Sequence, residues 1–185
     1  MKDEVRQNKA SEFGRVFAEI LLIILLVFFD QFTKKQAVDT LKPLLPGGIE
    51  VWKGVFELHY LENHGMAFGL LQNAQIFFYV VTGIFLVIGV YLLVRTPGKK
   101  RFLPMNLLLT LVIAGAVGNL IDRIVNQYVV DFLYVSLIDF PIFNVADCYV
   151  TVGIILLAIF LLFVYKDEEL KEVYGFRKKE KKSDE

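Results

Sequence analysis

The chain has 185 residues, a length typical of one domain or at most two. Its 20 Lys and Arg residues balance 20 Asp and Glu residues, so it lacks the basic surplus typical of nucleic-acid-binding proteins. Hydrophobic residues make up 56% of the chain, which excludes a disordered protein and argues against an ordinary soluble one. One cysteine, Cys148, and two histidines are too few for a disulfide or a Cys- or His-rich metal site, so we expect no metal and no cofactor.

Four apolar segments predict membrane helices. The first, residues 16–29, is short for a bilayer crossing, which takes about 20 residues, and it spans only if the helix continues through Asp30 and Lys34 toward Gln36. A cleaved secretory signal peptide is the alternative, but no small-x-small cleavage site follows Phe29. The other predicted helices cover residues 76–94, about 103–121 and 145–165.

Lys and Arg residues predict the orientation of these helices. They are frequent before the first helix, in the turn at residues 95–102 and after the fourth helix, and rare in the loop between helices three and four. Because cytoplasmic segments carry the excess of positive charge, both termini and the 95–102 turn are expected in the cytoplasm. The larger loops, about residues 37–75 and 124–143, are then expected on the outer side.

The long loop between helices one and two carries a strand pattern. Residues 55–62 alternate, with Phe56, Leu58 and Tyr60 on one face, and a Pro-Gly-Gly turn precedes them at residues 46–48. We therefore predict an all-α membrane protein whose four transmembrane helices carry a small antiparallel β-sheet in this outward loop. Residues 1–166 would form a single membrane domain with its β subdomain at about 40–65, and residues 167–185 a charged, flexible cytoplasmic tail.

Polar side chains cluster near the outer ends of the predicted helices, where ionisable groups are costly and usually functional. Asp30 and Lys34 are spaced i,i+4 and can pair on one helix face. Gly115, Asn119 and Arg123 form one stripe along the third helix. Each pattern also has a structural interpretation: an ion pair that only fixes a helix in the bundle, or a packing motif with a snorkelling arginine.

Two further carboxylates lie on the same outward side. Asn144 and Asp147 match a capping box at the start of the fourth helix, so Asp147 has a structural interpretation as a cap. Asp131 lies in an uncharged run, an unusual setting for a merely solvated carboxylate. Two carboxylates that meet in a low-dielectric cleft cannot both ionise easily, and such a pair can activate water and protonate a carbonyl oxygen.

Five sequence blocks in a fixed order resemble the signature blocks of lipoprotein signal peptidase, also called signal peptidase II. The blocks are FDQFTKK (29–35), ENHGMAFGLL (62–71), GAVGNLIDR (115–123), VVDFLYV (129–135) and FNVADCYVTVG (143–153). The resemblance implies a multi-pass aspartyl endopeptidase of the bacterial inner membrane, with its active site near the outer face. It would remove signal peptides from prolipoproteins, cutting just before a diacylglyceryl-modified cysteine.

The resemblance also implies site residues and partners. Asp131 and Asp147 would be the catalytic pair, with no metal. Seven residues would support the site or bind substrate: Asp30, Lys34, Asn63, Gly115, Asn119, Arg123 and Asn144. The partners would be the lipid-modified substrate and membrane lipid, with no nucleic acid, and the chain would act as a monomer.

Two alternatives from other functional classes start from the same residues. Intramembrane Asp and Arg groups also build proton relays, so a small proton-coupled transporter is one alternative. A noncatalytic assembly protein with a buried ion-pair network is the other. The clustering of polar residues at the outer side, with no polar trail along the second helix, disfavours a transporter.

Overall fold

The computed structural model describes residues 2–65 and 75–175, and within them four helices are long and apolar enough to cross a membrane. They are α1 (Lys2–Leu41), α2 (Gln75–Arg95), α3 (Leu103–Asn126) and α4 (Val145–Ile159), which a π-helical turn, Phe160–Val164, continues. α1 runs unbroken past Asp30 to Leu41, as predicted for a spanning helix. Phe28, Val87 and Phe163 are among many apolar side chains exposed on the helices, as expected of surfaces that face lipid.

The central helix is α3, which packs against α1, α2 and α4. Its contact with α4 is so close that a Cβ atom added at Gly115 would lie 2.5 Å from the carbonyl oxygen of Ala146. A Cβ atom added at Gly118 would lie 2.5 Å from a carboxylate oxygen of Asp30 on α1. Small residues permit such approaches between membrane helices, so these two glycines bring α1, α3 and α4 together near one level.

A three-stranded antiparallel sheet lies beside the bundle. Its strands, in the order β1-β2-β3, are β1 (Gly48–Trp52), β2 (Phe56–Asn63) and β3 (Val129–Tyr134). The predicted sheet in the first loop is present, and a third strand from outside residues 40–65 extends it. β3 comes from the loop between α3 and α4. It pairs with the edge of β2 that β1 leaves open, and Leu61 of β2 lies opposite Asp131 of β3.

The start of the charged tail is ordered rather than flexible. Helix α5 (Asp167–Tyr174) follows α4, and its Val173 side chain is only 5% exposed. Glu169 pairs with Arg101 at 2.8 Å, and Arg95 Nη2 donates to the carbonyl oxygen of Val173 at 3.1 Å. These contacts correct the expectation of a flexible tail at its first eight residues, and residues 176–185 lie outside the described part of the chain.

Two apolar clusters lie on either side of the polar residues along α1 and α3. One joins α2, α3 and α5, and its buried members on α3 end at Ile113. The other joins α1 to the sheet and begins on α1 at Ala37. Buried Asp30 and Lys34 precede Ala37 on α1, and buried Asp122 follows Ile113 on α3. The fold therefore places ionisable groups between two apolar clusters.

Candidate active site

Asp131 and Asp147, the two carboxylates singled out in the sequence, line one cavity of about 630 Å³. Asp131 lies on β3 and is 1% exposed. Its Oδ1 accepts from Asn144 Nδ2 at 2.6 Å and its Oδ2 accepts from Asn63 Nδ2 at 2.8 Å. The side chain is therefore fixed by amides from β2 and from the start of α4.

Asp147 lies in the first turn of α4, where the predicted capping box is present. The backbone N–H of Asn144 donates to Asp147 Oδ2 at 3.1 Å, and the backbone N–H of Asp147 donates to Asn144 Oδ1 at 2.9 Å. The other oxygen, Oδ1, accepts from Asn119 Nδ2 at 2.8 Å. The cap also connects the two carboxylates, because the Asn144 side chain binds Asp131 as well as the Asp147 backbone.

Lys34 is the buried cation of the site, and its side chain is 3% exposed. Its Nζ lies 2.9 Å from Asp30 Oδ2 and 3.0 Å from Asp122 Oδ2. It also donates to Asn119 Oδ1 at 2.8 Å. The predicted Asp30–Lys34 pair is therefore present, and Lys34 extends it to the amide that binds Asp147.

Asp122 and Gln31 belong to this network although the sequence reasoning assigned them no role. Asp122 Oδ2 accepts from the backbone N–H of Val130 at 3.2 Å, and its Oδ1 accepts from Gln31 Nε2 at 2.9 Å. Asp122 therefore ties α3 to the strand residue just before Asp131. Its i,i+3 spacing from Asn119 was the available signal, since such residues are neighbours on a helix.

The remaining predicted residues lie around this core. Asp30 Oδ1 accepts from the backbone N–H of Ala146 at 2.9 Å, so it satisfies a first-turn donor of α4. Gly115 contributes the close α3–α4 contact rather than a polar group. Arg123 is half-buried near the C-terminal end of α3, with its guanidinium carbon 4.6 Å from the centre of the Phe78 ring. Cys148 lines the same cavity as the two carboxylates.

Burial dominates the electrostatics of Asp131. Desolvation, reinforced by the negative charge of Asp147, raises the pKa of Asp131 from 3.8 to about 7. The hydrogen bonds from Asn63 and Asn144 oppose this shift because they favour the ionised carboxylate. A carboxyl group with a pKa near 7 can hold a proton at neutral pH and donate it to a substrate oxygen.

A second cavity adjoins the first. It has a volume of about 260 Å³ and is lined by α2, α3 and α4, mostly with apolar side chains such as Phe85, Val112 and Ile154. Thr82, Arg123, Asp147 and Thr151 line both cavities. In the described part of the chain, no group of three or more His, Cys, Asp and Glu residues is arranged to hold a metal ion.

Comparisons with known proteins identify relatives over most of the chain. The family described as Signal peptidase (SPase) II matches residues 22–163. The lipoprotein signal peptidase of Caldanaerobacter subterraneus is 41% identical over 145 residues, which cover 78% of this chain and 95% of that protein. The lipoprotein signal peptidase of Streptococcus pyogenes serotype M1 is 40% identical over 155 residues, which cover 81% of this chain and 94% of that protein.

Two solved structures share the fold. Both are described as bacterial membrane enzymes determined by the in meso method. The structure at 2.3 Å resolution has a TM-score of 0.68 and 34% identity and covers 89% of this chain and 94% of its own. The structure at 1.9 Å resolution has a TM-score of 0.69 and 36% identity and covers 81% of this chain and 96% of its own.

Proposed function

The chain belongs to the signal peptidase II family, and on that premise we propose that Asp131 and Asp147 are the catalytic pair of a membrane aspartyl endopeptidase. The substrate is a prolipoprotein, whose signal peptide is cut off just before a diacylglyceryl-modified cysteine. The observation that carries this proposal is that one residue, Asn144, holds both carboxylates in place. Asn144 hydrogen-bonds the Asp131 side chain and caps the helix turn that holds Asp147, and both groups face one cavity.

The proposed reaction uses one proton shared by the pair. Protonated Asp131 donates to the carbonyl oxygen of the scissile peptide, while ionised Asp147 accepts a proton from the attacking water. The water oxygen bonds to the carbonyl carbon, giving a tetrahedral intermediate. Collapse of that intermediate breaks the C–N bond. Protonated Asp147 delivers its proton to the leaving amine, and Asp131 takes back the hydroxyl proton as the carbonyl re-forms, which restores the starting state of the pair. The raised pKa of Asp131 supports its starting role as the proton donor.

The neighbouring polar groups have separate proposed roles. Asn63 and Asn144 hold Asp131, and Lys34 orients Asn119 toward Asp147. The apolar cavity lined by α2, α3 and α4 suits the hydrophobic signal segment, which enters sideways from the bilayer. Arg123, at the junction of the two cavities, donates to substrate carbonyl oxygens.

The setting of the enzyme is also a proposal. We place it in the bacterial inner membrane with both termini in the cytoplasm and the site near the outer face, because the 95–102 turn is basic. Membrane lipid surrounds the exposed apolar helix surfaces. A single chain is proposed to act alone, since its own Asn63, Asn119 and Asn144 already hold both carboxylates. No observation favours the alternative of a proton-coupled transporter.

Cleavage of a lipid-modified prolipoprotein by the purified full-length chain in detergent tests the proposal. The native protein should release the signal peptide. Asp131→Asn and Asp147→Asn should each lower the cleavage rate at least about 1,000-fold, because two residues that act as a unit lose their function when either one is replaced. Asn keeps the shape of the side chain but cannot exchange the proton.

Asp139→Asn is the matched control for this experiment. Asp139 lies in the α3–α4 loop, and its side chain accepts from the Tyr134 hydroxyl alone among the described residues, so its variant should cleave like the native protein. Near-native cleavage by either variant of the proposed pair would exclude this assignment. An unmodified prolipoprotein should remain uncut, because the proposed substrate carries the lipid.

A further inference from the structure

Arg123 has an unusual environment for a cation close to two carboxylates. Asp147 and Asp131 both interact with it electrostatically. Yet within the described residues no carboxylate oxygen lies within 4.0 Å of its guanidinium nitrogens, and its side chain donates no hydrogen bond to them. Within the described part of the chain, all five N–H donors of the guanidinium are therefore left for a ligand in the adjoining cavities.

The outer end of α2 contacts this arginine at two points. The buried Phe78 ring faces the guanidinium carbon at 4.6 Å, a distance typical of a cation–π contact. The Tyr79 hydroxyl donates to the Arg123 carbonyl oxygen at 2.8 Å. One contact restrains the side chain and the other restrains the backbone, so two consecutive residues of α2 fix this residue of α3.

We propose that Phe78 is a positioning residue that holds the Arg123 guanidinium away from the carboxylates and aims its donors at substrate oxygens. The inference rests on the proposed function, because it assigns the ligand of Arg123 as the lipid-modified prolipoprotein. Phe78 itself lines the larger cavity but offers no polar group, so it acts through Arg123.

The physical reason is the flexibility of the arginine side chain. Without an aromatic face beside it, the guanidinium is free to turn toward Asp147 and form an ion pair, because opposite charges attract strongly in a site with little water. A paired guanidinium has fewer free donors for the substrate. Loss of the ring should therefore weaken substrate binding rather than remove the chemical step.

Steady-state cleavage of a lipid-modified prolipoprotein by variants of the full-length chain tests this role. Phe78→Leu removes the aromatic face and keeps an apolar side chain, so it should raise KM about tenfold with kcat within about threefold of native. Phe78→Tyr keeps the aromatic face, so its KM should stay within about twofold of the native value. Tyr91→Leu removes an exposed aromatic of α2 that lines neither cavity and should leave both constants unchanged.

An NMR measurement decides the inference independently of turnover. In the arginine-labelled native protein, the aromatic ring should shift the Arg123 Nε–H resonance, which is identified by its loss in Arg123→Lys. Phe78→Leu should abolish the shift and Phe78→Tyr should keep it. Native KM in Phe78→Leu, equal defects in Phe78→Leu and Phe78→Tyr, or an unshifted native resonance would each overturn the positioning role. A native chain that cuts no lipid-modified substrate but keeps the resonance shift would instead overturn the proposed function.

Discussion

Asn119 connects the buried ion-pair network to Asp147 through the two ends of one amide. Its Oδ1 accepts from Lys34 and from Asn144, and its Nδ2 donates to Asp147. A flipped amide would place N–H groups against two donors and an oxygen against a carboxylate. The charge of Lys34 therefore fixes which end of Asn119 faces the candidate catalytic group.

The raised pKa of Asp131 predicts a pH-dependent stability cost. Because burial, followed by the charge of Asp147, raises this pKa from 3.8 to about 7, the folded protein binds the proton more tightly than the unfolded chain. Ionisation of Asp131 should then lower stability progressively from about pH 4 to about pH 7, with the full cost present above that range. Asp131→Asn removes the ionisation and should be more stable than native in alkaline buffer.

Thermal unfolding of the purified protein in detergent measures this difference. At about pH 4 the native and Asp131→Asn proteins should melt together, and at about pH 8 the variant should melt several degrees higher. A melting-temperature difference that stays constant across this range would contradict the raised pKa of Asp131.

Asp122 is predicted to position β3 and the Lys34 network rather than to react. Asp122→Asn removes the charge that faces Lys34 and weakens the acceptor for the Val130 N–H, so the free energy of unfolding should fall by roughly 1–3 kcal/mol. Cleavage should fall about tenfold, because Asp131 follows Val130 directly. Melting curves and cleavage rates measure both effects.

Asp39→Asn is the control for this change. Asp39 forms an exposed i,i+4 pair with Lys35, and exposed pairs contribute little to stability. Its variant should melt and cleave like the native protein. An Asp122→Asn protein with native melting and native cleavage would show that the network does not support the site.

At the level of elements, α3 and α4 approach each other closely at glycines on both helices. Gly115 faces the carbonyl oxygen of Ala146, and Gly153 on α4 faces Val112 on α3. The close approach brings Asn119 of α3 within hydrogen-bond distance of both Asn144 and Asp147. The helix spacing thus sets the geometry of the candidate site.

Gly115→Ala should disrupt this contact. The added Cβ would lie 2.5 Å from the Ala146 carbonyl oxygen, so α4 must move and the free energy of unfolding should fall by roughly 1–3 kcal/mol. Cleavage should fall as well, since Asp147 moves with α4. Gly83→Ala on α2 is the matched control, because a Cβ there meets nothing within 4 Å. Equal melting and cleavage in the two variants would contradict the role of Gly115.

Local patterns predicted the elements that depend on local interactions. The four helices follow from apolar segments, and the Asn144–Asp147 capping box follows from a spacing of three residues. The pairing of β3 with β2 joins residues about 70 positions apart, such as Leu61 and Asp131, and no local pattern encodes it. The Asn63–Asp131 hydrogen bond follows from that pairing and was equally hidden.

The partners of α5 were hidden for the same reason. Its acidic first turn resembles a solvated tail in the sequence, but Leu170 and Val173 pack against residues of α2 and α3. Glu169 also binds Arg101, which lies in the turn between those helices. The end of the bundle at the α2–α3 turn is therefore covered by a segment whose partners lie far away in the chain.

For the whole molecule, charge and fold together predict one orientation. The turn between β1 and β2 contains the exposed Lys53, and the turn between α2 and α3 contains the exposed Lys100. These turns are separated by one membrane crossing, α2, and should lie on opposite sides of the bilayer. Because Lys99, Lys100 and Arg101 make the second turn strongly basic, it should be cytoplasmic.

Cysteine labelling in intact cells measures this orientation. In a Cys148→Ser background, which removes the only native thiol, Lys53→Cys should react with a membrane-impermeant maleimide added outside. Lys100→Cys should react only after the membrane is opened, because its turn faces the cytoplasm. Retained cleavage of a lipid-modified prolipoprotein in each variant shows that the labelled chains are folded. Labelling of Lys100→Cys from outside would invert the topology and place β1, β2 and the candidate site on the cytoplasmic side.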